Sequence, residues 1–583
     1  MTIRAINFRS SLIKNALSGR MGTFLVGLLV FGIYLSLGWF FMEPQVLWSP
    51  DEGAKWLQMQ NLRWDDGLKL DIRYAGLEFD PNLRFVPDET SKGLLRLQDE
   101  QMFFRRLPLF PIISKIFHIW LGDRGLVILP AIGGSLMCMA TIQLVDRSKR
   151  RVAMWILVAF ASPVFIYALL FWEHTLASGL ALLAAWLAFW NGTQSRLSFS
   201  SPVLKWIIVG LLMSISNVLR LEVAIFAGAF FTASFLLIPK QRRYIFFAGF
   251  ILPIGLLVQA FVHNHLFGQA IPDNAAYLFY PFSYISRAGW GSVRDLLIGP
   301  FTDEAIDPGW LGTLWAATAI AILVLSVARQ AYPLFYKLWL VLMLIYILTA
   351  ASFLFSSTPY RSAHGLLFTT PWVLFGYCRA WELWASKRIK ARVVVLTAVF
   401  GLMGYIVGIL FLRASSPHGG LEWGGRFFLT FFPLTAIMAG WGVADSGKHK
   451  LNTNFILAAL IFLGLGFQIR GLLTIDNDKR LSQALVSELR EAKETGYMLS
   501  SDLWWVPFNA SSVYAEEAIF VFQEPEREAE WLDLVISTPV NQFAIVTLNQ
   551  DWLDHALSRR PDFPFHLDQA RQLDNLWVFY ISR

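Results

Sequence analysis

The chain has 583 residues, 55% of them hydrophobic and only 16% charged, with 24 Trp and 49 Phe. That excludes an ordinary soluble globular protein and fits a polytopic membrane protein with aromatic belts at its interfaces. Its formal charge of +7 sits largely in short loops between apolar runs, no basic run interleaved with aromatics points to nucleic acid, and two cysteines inside apolar segments, Cys138 and Cys378, exclude a disulfide framework or a Cys-ligated metal.

Arg4, Arg9, Lys14 and Arg20 precede the first apolar run, about Gly22 to Met42, with no acidic residue among them. The run is long enough to cross a hydrocarbon core of roughly 30 Å and is followed by no small-residue cleavage pattern, so the N-terminus is expected on the cytoplasmic side of the plasma (inner) membrane. A loop from 43 to about 105 follows on the outside. Leu107 to Leu121, punctuated by Pro108 and Pro111, is too short to span and reads as an interfacial or re-entrant helix. A second span, about Leu126 to Val145, ends at the basic cluster Arg147, Lys149, Arg150 and Arg151.

The third span, about 152 to 171, climbs out to Trp172-Glu173-His174, and the fourth returns by Trp190. The fifth ends at Arg220-Leu221-Glu222, the sixth at Lys240, Arg242 and Arg243, and the seventh opens into an outer loop with His263, His265 and Asp273. Further spans are expected near 311–328, 334–354, 364–381, 392–412, 427–443 and 452–470, with Lys337, Lys387, Arg388, Lys390, Arg392, Lys448 and Lys450 all in turns on one side. The pattern makes about thirteen spans and an extracytoplasmic C-terminus. After about Leu473 charges return: Leu481 to Ala492 reads as an amphipathic helix, and Tyr497–Ser501, Phe543–Leu548 and Asn575–Ser582 as strands. The expected architecture is mainly α, a polytopic transmembrane helical domain over 1–473 with a small α/β C-terminal extracytoplasmic domain over 474–583.

Ionisable groups gather on the outer face. Ser49-Pro50-Asp51-Glu52 has a structural explanation, an N-cap, a proline at the first helical position and a capping-box glutamate, with Asp51 at the positive end of the helix dipole. That explains Glu52 better than the second carboxylate, Asp51, beside a membrane exit. Glu173-His174 lies in a turn between two spans, where ionisable groups line cavities more often than they face lipid. Asp51, Glu173 and His174 are candidate ligands for a divalent cation such as Mg or Mn. Arg106, Arg220, Arg361, Arg413 and Arg426 lie outside against the positive-inside trend. Singly, each has interfacial anchoring as its plain explanation; together they suit a phosphate, which guanidinium forks bind bidentately. His263 and His265, two apart, do not share a helix face and make a poor metal pair. Gly419-Gly420-Leu421-Glu422-Trp423-Gly424-Gly425-Arg426 is either a backbone that approaches a ligand or a flexible connector.

The acidic pair Asp51-Glu52 after the first span, the proline-containing Arg106-Leu107-Pro108-Leu109-Phe110-Pro111, a second acidic position at Glu173, Asn264-His265-Leu266-Phe267-Gly268 and a soluble C-terminal domain together resemble the GT-C superfamily of polytopic glycosyltransferases, which includes protein O-mannosyltransferases and the aminoarabinose transferase that modifies lipid A. The resemblance implies transfer of a sugar from a polyprenyl-phosphate-linked donor to a glycan, lipid or protein acceptor on the outer face, with inversion. It makes Asp51 the general base and gives Glu52, Glu173 and His174 the task of orienting the acceptor or holding a cation. Arg106, Arg220, Arg361 and Arg426 would stabilise the leaving phosphate. The competing classes are a transporter or flippase of lipid-linked sugars and a surface-glycan ligase or polymerase. Against the transporter stand the absence of an internal repeat and the placement of ionisable groups mostly at one face.

Overall fold

The computed structural model describes residues 20–41, 46–64, 68–87, 95–98, 101–104, 108–144, 151–189, 201–267, 309–329, 332–356, 365–386, 388–412, 423–441, 450–560, 564 and 566–583. The protein is mainly helical, with a small mixed sheet in its C-terminal part. Among the described residues, eight helices are long and apolar enough to cross a membrane, accompanied by three shorter apolar ones, His174–Ala188, Val223–Leu237 and Arg426–Gly440. The chain divides into two compact units, one of Met1–Gly38 and Val127–Thr474, the other of Trp39–Leu126 and Ile475–Arg583.

Two expected spans of the first unit are interrupted. Where 152–171 predicts one helix, the helix Arg151–Ala159 stops at Ser162-Pro163, a four-residue turn of helix Val164–Tyr167 follows, and the chain then runs irregularly to Glu173. Proline lacks the donor that a continuing helix needs. Bare backbone at membrane depth is tolerated only where protein satisfies it, and here it does: Tyr34 donates to the Ala159 carbonyl (2.7 Å) and the Trp372 indole to that of Ala161 (2.6 Å). The expected span 364–381 breaks likewise at Thr370-Pro371, between Leu366–Thr369 and Trp372–Cys378. There Gln468 donates to the Thr369 carbonyl (2.9 Å) and Tyr346 to that of Pro371 (3.3 Å). These breaks are filled with buried aromatic and polar partners rather than lipid, so hydropathy alone reads straight through them.

Helices Ile128–Leu144 and His174–Ala188 cross at Gly133 and Gly179, where a Cβ on either residue would overlap the other helix's backbone. Small residues let membrane helices approach this closely. The Thr175 hydroxyl adds a bond to the Pro130 carbonyl (2.9 Å), which fixes the start of the second helix and with it Glu173 and His174.

In the second unit, short strands β1 (Asp71–Ile72), β2 (Leu95–Gln98) and β3 (Gln101–Phe104) form an antiparallel sheet in the order β1-β3-β2. The C-terminal sheet comprises β4 (Met498–Ser501), β5 (Ile519–Val521), β6 (Gln542–Thr547), β7 (His566–Leu573) and β8 (Leu576–Ser582) in the order β5-β4-β6-β8-β7. Strands β4, β5 and β6 run parallel, while β8 pairs antiparallel with both β6 and β7. The expected strands at 497–501, 543–548 and 575–582 are β4, β6 and β8. The expected helix 481–492 is the far end of one continuous helix, Lys450–Glu494.

The loop after the first span is built onto this sheet. The Val521 amide donates to the Phe85 carbonyl (2.7 Å), and Tyr74, Phe79 and Phe85 surround Phe520 with ring centroids 6.3–6.5 Å away. Asp80 ties the loop to itself by accepting from the Arg84 and Phe85 amides, both at 2.8 Å. Gly53, in the helix Pro50–Asn61, rests against Phe508, whose carbonyl oxygen a Cβ would overlap. A backbone carbonyl cannot swing aside as a side chain can. Gly53→Ala is therefore expected to destabilise this unit by about 1–3 kcal/mol, read as a lower melting temperature in detergent; an unchanged melt would show that the contact yields freely.

Asp502 follows β4 and accepts a hydrogen bond from the Thr547 hydroxyl (2.7 Å). Burial pushes its carboxyl from 3.8 up to about 6. The folded state thus holds this proton more tightly than the unfolded chain, so stability falls as pH rises from about 4 to about 6 and is level above that. Asp502→Asn should remove the fall and raise stability at pH 7 by on the order of 2–3 kcal/mol. Thermal melts of wild type and variant across pH 4–8 check this, and parallel pH dependences would contradict it.

Candidate active site

Asp51 is held in the first turn of the helix Pro50–Asn61. Ser49, extended at φ −133° and ψ 154°, is the N-cap and Pro50 occupies the first turn, where its missing N–H costs nothing. The capping box is complete: the Glu52 carboxylate accepts from the Trp48 amide (2.9 Å) and the Ser49 amide (3.3 Å), and Ser49 Oγ accepts from the Glu52 amide (3.4 Å). Glu52 is fully buried within this cap, which accounts for it structurally. Asp51, 7% exposed, is no part of that cap, and one helical turn on lies Lys55, 2% exposed.

The helix is clamped along its length. Trp48 donates through its indole to Asp478 (3.1 Å) and Trp56 to Asp123 (2.8 Å), while Lys115 donates to the Gln60 and Leu62 carbonyls (3.1 and 3.0 Å). An ammonium at the last carbonyls suits the negative end of a helix dipole. Lys115 belongs to Leu109–Leu121, the expected interfacial helix, whose Ile116, Ile119 and Trp120 are exposed at 55%, 70% and 83%.

The second constellation lies within the first unit. Arg220 ends the helix Pro202–Leu219 and donates through one terminal nitrogen to Glu173 (2.8 Å) and through Nε to Glu222 (2.7 Å). His174 Nε2 stands 3.8 Å from the same Glu222 oxygen. The His174 ring packs on Trp172 (centroids 4.9 Å apart), Tyr167 (5.8 Å) and Phe427 (6.2 Å). Arg426, 2% exposed, lays its guanidinium over Trp172 (4.6 Å) and Phe427 (4.8 Å), and Arg220 approaches the same Phe427 ring at 5.7 Å. Cation–π contacts of this kind strengthen when desolvated. The turn that delivers Arg426 needs its glycine: Gly424 has φ +70°, and a Cβ there would strike Pro163. The Trp423 amide donates to the Tyr167 hydroxyl (3.0 Å), locking the turn to the broken helix.

Within this unit the structure brings together Glu173, His174, Arg220 and Arg426. It adds Glu222, Tyr167 and Phe427, which the sequence reading did not place in the site. The signal for Glu222 was its position two residues after Arg220; nothing in the sequence marks Tyr167 or Phe427. Arg106, Arg361, Arg413, Asp273 and residues 419–422 lie outside the described residues. His263 is buried while His265 is exposed on the helix Arg242–Phe267. Among the described residues, no group of three His, Cys, Asp or Glu is placed to hold a metal ion. Glu173 and Glu222 are both paired with the single guanidinium of Arg220. Of the expected cation ligands, Asp51 belongs to the second unit and Glu173 and His174 to the first, where Glu173 is already paired with Arg220.

No family model and no curated protein matches the sequence. Among solved structures, the chain is similar to ArnT from Cupriavidus metallidurans bound to undecaprenyl phosphate, at 11% identity over 95% of this chain and 97% of that one, with a TM-score of 0.51. The same protein in its apo state matches at 9% identity over the same shares, again with a TM-score of 0.51. The oligosaccharyltransferase of Archaeoglobus fulgidus in its apo form matches at 11% identity over 91% of this chain and 71% of that one, with a TM-score of 0.41. The chain is thus an integral membrane protein that shares the fold of ArnT over nearly its whole length.

Proposed function

We propose that the protein is a membrane glycosyltransferase that moves a sugar from a polyprenyl-phosphate-linked donor to a hydroxyl acceptor at the extracytoplasmic face. The observation that carries this reading is a fold shared end to end with a protein crystallised on undecaprenyl phosphate. Support comes from the buried cluster in which Arg220 and Arg426 meet two carboxylates, a histidine and aromatic rings.

In this reading the acceptor oxygen attacks the anomeric carbon and the bond from that carbon to the phosphate oxygen breaks. The phosphate departs with the bonding electrons and the configuration inverts. Asp51 takes the acceptor's proton. Arg426 stabilises the charge growing on the leaving phosphate, a planar guanidinium held in place before the reaction by two aromatic faces. Arg220 is paired with both Glu173 and Glu222, so its part is to fix the cluster. Glu173 and His174 then orient the site through Arg220 and the ring stack.

The whole-cell test compares lipid-linked sugars and surface glycans by mass spectrometry with and without the gene. The proposal expects a glycan to lose one sugar and the corresponding polyprenyl-phosphate sugar to accumulate. Identical profiles under conditions of proven expression would refute it.

A further inference from the structure

Between Gly309 and Leu412 the sequence holds a single acidic residue, Glu382. In the first unit two arginines share its carboxylate. Arg329 donates to one oxygen through a terminal nitrogen (2.8 Å), and the Arg379 guanidinium pairs with the other. Both arginines are sheltered, at 9% and 3% exposure. Arg329 stacks over Trp339 (4.0 Å), whose indole donates to Ser326 (3.0 Å). Arg379 approaches the Phe375 ring at 6.0 Å, and its buried Nε finds no acceptor among the described residues. Two cations therefore meet one anion, and the surplus charge is held away from water, where an uncompensated charge is costly.

The cluster sits where three apolar spans end. Arg329 follows Leu311–Ala328, Trp339 lies in the second turn of Pro333–Leu354, and Arg388 precedes Ile389–Val407. The positive charge continues to the surface: Arg388 is exposed, and half-buried Arg392 lies over the Trp384 ring (5.1 Å) and donates to the Trp384 carbonyl (2.9 Å). Trp381, the residue before Glu382, is 52% exposed. On Pro333–Leu354, Leu334, Leu338 and Val341 are exposed as well, and their spacing puts them on one helix face. A cationic rim bordered by tryptophan, next to an exposed apolar helix face, has the two-part chemistry that complements a phospholipid.

We propose that this rim binds the headgroup of an anionic phospholipid, whose negative charge meets the surplus that Glu382 leaves over. Arg388 and Arg392 make the contact, since guanidinium forks pair with phosphate oxygens. Buried Arg329 and Arg379 supply the potential that favours an anionic over a zwitterionic lipid. By the positive-inside pattern of the sequence this is the cytoplasmic leaflet. None of these residues belongs to the site around Arg220 and Arg426, so lipid binding here stands or falls apart from sugar transfer.

The test uses the full-length protein in detergent, with native mass spectrometry and thermal melts against phosphatidylglycerol, phosphatidylcholine and inorganic phosphate. Phosphatidylglycerol is expected to bind at least tenfold more tightly than phosphatidylcholine, and to raise the melting temperature at concentrations where inorganic phosphate does not. Replacing the rim, Arg388→Ala together with Arg392→Ala, should reduce that preference at least fivefold. Arg379→Met leaves Arg329 and Glu382 as a one-to-one pair, so the cluster becomes neutral and the preference should fall likewise. If Arg379→Met does not fold, the rim variant decides. Equal binding of the two lipids, an equal shift from inorganic phosphate, or an unchanged preference in the rim variant or in folded Arg379→Met would overturn the site.

Discussion

Asp51→Asn is expected to lower kcat for sugar transfer by about 10²–10⁴-fold, the range over which a positioned general base contributes, with donor KM little changed. The substitution is close to isosteric, and the capping box closes through Ser49 and Glu52, so the helix should survive it. Glu52→Gln is the informative companion. If Glu52 only caps, its variant keeps kcat within a few-fold and loses on the order of 1 kcal/mol of stability. Circular dichroism and thermal melts separate the two effects from turnover. Undiminished kcat in Asp51→Asn would remove it as the base.

Arg426→Ala is expected to cost about 10²–10³ in kcat, as for the loss of a single preorganised charge donor. Arg426→Lys should recover only part of this, because an ammonium keeps the charge but not the planar contact with Trp172 and Phe427. Single-turnover measurements with a saturating lipid-linked donor read the effect directly. Turnover of Arg426→Ala within threefold of wild type would place the phosphate contact elsewhere. Arg220→Ala is the poorer probe of phosphate binding. It strips the cation from Glu173 and Glu222 together, and breaking a buried ion pair costs about 3–5 kcal/mol by itself.

The sequence revealed the membrane class, most of the apolar helices and three of the five C-terminal strands, because hydropathy and alternation act locally. It also showed that Asp51-Glu52 begins a helix, since a capping box is written in four consecutive residues. What it concealed is non-local. The breaks at Pro163 and Pro371 read as continuous spans because their partners, Tyr34, Trp372, Tyr346 and Gln468, are distant in the chain. Strand β7 was missed because it is mostly exposed and polar, held by pairing with β8 rather than by burial. The pairing of Arg220 with Glu173, 47 positions away in the chain, is hidden for the same reason as the two breaks. The sequence offers Arg426 as one of several phosphate-binding candidates, but nothing local marks the two rings beneath it, Trp172 and Phe427.

The central claim is that this chain breaks a sugar–phosphate bond rather than carrying an intact lipid-linked sugar across the bilayer. Purified protein in liposomes, given a radiolabelled polyprenyl-phosphate sugar on one leaflet and a solubilised envelope glycan as acceptor, tests it most directly. The account predicts free polyprenyl phosphate and labelled glycan in equal amounts, abolished by Asp51→Asn. Labelled donor that crosses to the other leaflet with its sugar still attached, at the same rate in wild type and variant, would contradict it.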